Sequence, residues 1–88
     1  MASTPYTFYG ILAKLSSRTM ASITQRFGNR MKEIRKKKDM SQQDLAEKSK
    51  LDLTTISELE SGNREPMLKT IWKIANALDV KVSQMFDF

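Results

Sequence analysis

Leu53, Thr54, Thr55, Ser57 and Glu58 fall within residues 53–58, with no cation among them. With no His or Cys in the chain to activate them, these hydroxyls and the lone carboxylate are better suited to bonding a surface than to reacting with it. A threonine hydroxyl can bond a base edge, and its methyl can touch a thymine methyl. Leu53 offers only apolar contact, most naturally to thymine methyls, and Glu58 can accept from a cytosine amino group. Thr55 and Ser57 can alternatively bond phosphates. Catalysis has little to work with. The chain contains no His and no Cys, which also rules out a Cys/His zinc site. It has no phosphate-cradling glycine loop and no carboxylate pair outside helix caps and ion pairs. No enzymatic activity, cofactor, metal or small-molecule ligand is expected.

Candidate phosphate donors flank this stretch. Gln42 would open a helix, where its amide, the free N–H groups and the positive dipole suit a phosphate. Asn63 and Arg64 follow the reading stretch, and loop N–H groups at Gly62 and Asn63 add donors. Lys69 lies near the start of a later helix, and Lys38 ends the run Lys36-Lys37-Lys38. That run attracts phosphate, or else is a solvated helix end whose cations suit the negative dipole. Neither Arg nor Lys occurs between Asp52 and Glu60. The reading element therefore carries no bidentate guanine reader of its own, and the flanking donors must supply most of the affinity.

The elements that position these groups are legible between Met40 and Arg64. Ser41 and Asp44 form an S-x-x-D start signal, and Asp52 is an N-cap for a second helix. Leu45 and Ala46 form the inward pair of the first helix. Ile56 and Leu59 recur at i and i+3 on the second, and Gly62 lies just past its end. This is a helix-turn-helix, whose second helix enters the DNA major groove.

The same residues resemble the Cro/cI-type, Xre-like helix-turn-helix family of phage repressors and bacterial regulators. Arg35, the run from Ser41 to Ala46, Leu51, Thr54, Ile56, Ser57, Leu59, Glu60, Gly62 and Pro66 carry the likeness. The run Ile74 to Val80 continues it, so that it covers roughly 27–86. The resemblance implies an all-α, five-helix, lambda-repressor-like domain. It places Leu53, Thr54 and Glu58 at the principal base-reading positions and Gln42 on the DNA backbone. It pairs Arg35 with Glu60 as a structural ion pair that fixes the reading helix. Two departures stand out. Lys50 occupies a turn position where Gly is usual, and Met67 precedes helix 4 where a Ser, Thr or Asp cap is usual. Both imply modest stability.

Eighty-eight residues make one small domain. No disulfide staples it, no apolar run is long enough to span a bilayer, and a reducing, cytoplasmic setting fits. Residues 1–38 carry nine Lys/Arg against one acid, for +8, whereas residues 39–88 carry six against nine acids, for −3. The basic field lies at the front of the chain. Residues 1–26 form an extension that lies outside the family pattern. They contain no Asp or Glu, are rich in Ser and Thr, and gather Tyr6, Phe8, Tyr9, Ile11, Leu12 and Leu15. Three readings stay open: a flexible or weakly helical leader, an arm packing on the domain or a partner, and a targeting segment. From Phe27, spacing at i, i+4 and i+7 through Met31 and Ile34 predicts a helix over 27–38. Further helices are expected over 42–48, 53–61, 68–78 and 83–86. Helix 4 is expected to bury Leu68, Ile71, Ile74, Ala75 and Leu78. The domain is thus 27–88.

Trp72 falls off that apolar stripe. With Met85, Phe86 and Phe88 it suggests a dimer interface; alternatively, it folds over its own C-terminal helix. A twofold homodimer would set two reading helices one DNA turn apart on a palindromic operator, about 34 Å. The expected function is sequence-specific binding of double-stranded DNA to regulate transcription. The likeness extends to restriction–modification controller proteins and small phage repressors. The alternative is an antitoxin-type module that also grips a partner protein.

Overall fold

A computed structural model describes residues 8–88, with side chains from Ile23 onward. The reading of Tyr6 lies outside the described residues, and so do the side-chain readings made for positions 8–22. The described residues form helices joined by turns, with no strand among them: α1 (Phe8–Lys37), α2 (Gln42–Ser49), α3 (Leu53–Ser61), α4 (Leu68–Leu78) and a C-terminal 3-10 helix (Val82–Phe86). Helices 2 to 4 fall where the sequence places them. The first begins at Phe8 rather than Phe27. Core periodicity begins at Phe27, but no capping residue or proline at 25–27 stops the helix there. Among residues with described side chains the packed face begins at Phe27, whereas the hydrogen-bond ladder begins earlier.

One core joins the elements. Phe27, Met31 and Ile34 from α1 meet Leu45 and Ala46 of α2, Ile56 and Leu59 of α3, and Ile74, Ala75 and Leu78 of α4. Leu68 departs from expectation and is 81% exposed. It lies in the first turn of α4, ahead of the part that packs on the core. Met85 is fully buried and so cannot belong to a dimer surface. The 3-10 helix turns it inward, and Phe86 stacks on Phe27 at 5.3 Å between ring centroids. Phe88 packs in turn beside Phe86 and under the Arg26 guanidinium. Arg30 ties this end to α1, its Nε donating to the Gln84 carbonyl at 2.8 Å. Phe86 and Phe88 thus pack against their own α1, while the two residues stay 41% and 51% exposed.

The turns are set by local chemistry. Ser41 and Asp44 complete a reciprocal capping box at 2.9 Å in each direction. Asp52 accepts from the Thr55 N–H at 2.8 Å. The Ser41 N–H, then its hydroxyl, hold the Asp44 carboxyl below the ordinary value of 3.8. The Thr55 side chain, then its N–H, do the same for Asp52. Lys50 ends α2 in the left-handed region at φ 59°, the strained position its departure from Gly implied. Asp39 and Asp79 share that conformation. Met67 makes no side-chain cap to α4.

Candidate nucleic-acid interface

Helix α3 is anchored from behind. Ile56 and Leu59 are buried in the core, and α1 crosses the end of α3 without side-chain spacing between them. A Cβ on Gly28 would collide with the Leu59 carbonyl and come within 2.9 Å of the Glu60 carbonyl oxygen. At this crossing Glu60 is buried and bound bidentately by Arg35. Nε donates to Oε2 at 2.7 Å and Nη2 to Oε1 at 3.0 Å. Arg35 Nη1 also donates to the Met40 carbonyl at 2.7 Å, which fixes the approach to α2. These bonds satisfy both buried charges and lock α3 to α1.

The opposite face of α3 is open. Leu53, Thr54 and Ser57 are exposed, while Thr55 and Glu58 are half-buried. All five predicted reading residues therefore reach the surface of one helix. Gln42, at the start of α2, is half-buried. Its Nε2 donates to Glu60 Oε1 at 2.9 Å, joining the Arg35–Glu60 pair. One amide hydrogen of Gln42 is left for a phosphate, beside the unpaired N–H groups of the helix start. Sequence reasoning missed this tether. Lys38, Asn63 and Lys69 are exposed, as phosphate donors must be.

Arg64 is not extended toward solvent. Its Nε lies 2.9 Å from Glu58 Oε1, and its Nη1 donates to the Thr55 hydroxyl at 3.0 Å. The signal for this fold-back was the glycine. Gly62 takes φ 79° and, with Asn63 bonding back to the Glu58 carbonyl, reverses the chain. A residue two positions later then returns over the last turns of α3.

On α4, Trp72 is 59% exposed. With Leu68, Lys69, Ile71 and Val82 it lines an apolar groove of about 440 Å³. Met67, also exposed, adjoins Leu68 in sequence. Met67, Leu68 and Val82 were not foreseen, and Met85 drops out.

Residues 31–84, which hold the capped turn, the exposed helix and its buried ion pair, match the sequence pattern of a helix-turn-helix family. The chain belongs to the HTH_3 helix-turn-helix family. It is a DNA-binding transcriptional regulator. The control protein C.MunI of a Mycoplasma species is 40% identical over 68 residues, spanning 76% of this chain and 92% of that protein. The control protein C.BamHI of Bacillus amyloliquefaciens is 41% identical over 63 residues, 70% of this chain and 78% of that one. The restriction–modification controller C.AhdI of Aeromonas hydrophila superposes with a TM-score of 0.71 at 38% identity, covering 72% of this chain and 96% of that one. Among the described residues, no helix is long and apolar enough to cross a membrane.

Proposed function

We propose that the protein binds a palindromic operator as a homodimer and regulates transcription by blocking or contacting polymerase. The single observation that carries this is the outward face of α3, held rigidly from behind and open in front. Leu53, Thr54, Thr55, Ser57 and Glu58 read bases from that face. Lys38, Asn63, Lys69 and the start of α2 at Gln42 hold phosphates and set the register. The apolar groove around Trp72 supports pairing through α4, with Leu68 and Val82 in the interface. Likeness to restriction–modification controllers supports genes of that kind as the regulated set.

Selection of bound duplexes from a random pool tests the reading. Two inverted half-sites one helical turn apart are expected. If the dimer neutralises about six phosphates, affinity falls about a thousandfold between roughly 50 and 200 mM salt. A single asymmetric site, or a flat salt response, would sink the dimeric, phosphate-anchored form of the proposal.

A further inference from the structure

Helix α3 brings no cation of its own to the major groove, because neither Lys nor Arg lies between Asp52 and Glu60. The fold supplies one from the following loop. Glu58 and Thr55 are three residues apart and share one face of the helix. Arg64 lies across both, with its Nε 2.9 Å from Glu58 Oε1 and its Nη1 bonded to the Thr55 hydroxyl at 3.0 Å. The Arg64 and Glu58 side chains remain 47% and 42% exposed. The pair therefore stands on the surface that meets the base edges, not in the core.

A guanidinium only donates hydrogen bonds, and an ionised carboxylate only accepts them. Side by side they present a donor group next to an acceptor group. In the major groove a G·C pair presents the complement: the N7 and O6 acceptors of guanine, then the amino donor of cytosine. Thr55 takes one of the five guanidinium N–H groups, and Nε faces Glu58. Nη2 has no hydrogen-bond partner among the described residues. That leaves a forked pair of donors for guanine, while the outer lone pairs of Glu58 can meet the cytosine amino group.

We propose that Glu58 and Arg64 act as one composite reader of a G·C base pair. Arg64 takes guanine O6 and N7, and Glu58 takes the amino group of the paired cytosine. This reassigns Arg64 from the phosphate backbone to the base edges. The paired charges also nearly cancel, so the acid on the reading helix does not repel the groove. Glu58 thereby has two roles, reading cytosine and positioning Arg64. The proposal rests on α3 being the major-groove helix.

The test measures binding of the full chain, by fluorescence anisotropy, to the selected operator and to operators with each base pair substituted singly. The proteins are wild type, Glu58→Gln, Arg64→Ala, the double variant, and Thr54→Ala. Circular dichroism checks the fold, which these exposed side chains do not hold. Both single variants are expected to lose about tenfold or more discrimination at one and the same G·C pair. The double variant is expected to lose no more than the worse single one, because the two residues act as a unit. Arg64→Ala weakening every site equally, with all base preferences kept, returns Arg64 to phosphate and overturns the composite reader. Loss of preference at two different base pairs also overturns it. Thr54→Ala separates this from failure of the parent reading. If Thr54→Ala shifts a base preference, α3 reads the groove whatever the pair does; if no variant shifts any preference, both readings fall.

Discussion

Arg35 and Glu60 meet in a bidentate pair whose side chains are only 9% and 2% exposed, and through it α1 holds α3. Removing one partner strands the other charge in the core, which typically costs about 3–5 kcal/mol. Glu60→Ala should therefore cost about that much in urea unfolding, and it should also free the Gln42 amide. The double variant Arg35→Met, Glu60→Leu should lose clearly less than the two single losses combined. A Glu60→Ala protein as stable as wild type would mean that the pair is solvated and does not lock the helices.

Lys50 sits in the left-handed region at φ 59°. A side chain there is strained relative to glycine, so Lys50→Gly should raise stability by about 0.5–1 kcal/mol. Asp79→Gly, at the same φ, should gain less, because Asp tolerates this conformation better than Lys. Equilibrium urea unfolding compares the three proteins. A clear loss on Lys50→Gly would mean that the turn relaxes away from this geometry in solution.

The capping carboxylates Asp44 and Asp52 are both held below their ordinary value of 3.8 in the folded chain. The unfolded chain therefore binds their protons first as pH falls. Their stabilisation is complete above that ordinary value and is lost as pH drops through the depressed folded values. Stability should decline below about pH 5 and keep declining past pH 4. An Asn side-chain oxygen can accept the same backbone N–H bond but does not titrate. The Asp44→Asn, Asp52→Asn protein should thus show a flatter stability curve across that range. An unchanged slope in acid urea titrations would remove the caps as its source.

Trp72→Ala should shift the chain toward monomer and weaken binding to the full operator more than to one half-site. A tryptophan at the centre of an interface is commonly worth roughly 2 kcal/mol or more. The core does not depend on it, since Ile74, Ala75 and Leu78 are buried without its help. Sedimentation gives the assembly state, and circular dichroism shows whether the variant folds. A folded variant that remains dimeric would move the interface away from this groove.

How much was legible depended on whether a signal was local. The bounds of α3 and α4, the S-x-x-D box and the left-handed Lys50 could be read directly, because capping and turn chemistry act within a few residues. The upstream reach of α1 could not, since core spacing from Phe27 onward says nothing of where the helix hydrogen bonds begin. Leu68 satisfied the apolar spacing of α4 yet is exposed, because spacing gives a face but not how far along the helix that face is covered. Met85 matched the composition of an interface and is core, for no pattern in five residues fixes which way a 3-10 turn faces. The two tethers, Gln42 to Glu60 behind α3 and Arg64 to Glu58 on its open face, join residues from separate elements or from either side of a reversal. They required the fold.

The close crossing at Gly28 bears on how the protein would appear in a genetic screen. Any side chain at this position must push α1 off the Leu59 and Glu60 backbone, and so tilt the helix that reads DNA. Alleles at Gly28 should be recovered as loss-of-regulation mutants alongside alleles of Thr54 or Ser57, although Gly28 is buried behind the reading helix. The two groups would separate by cellular abundance. Mutants of the reading face would accumulate as intact but inert protein, whereas Gly28 mutants would be cleared by proteases.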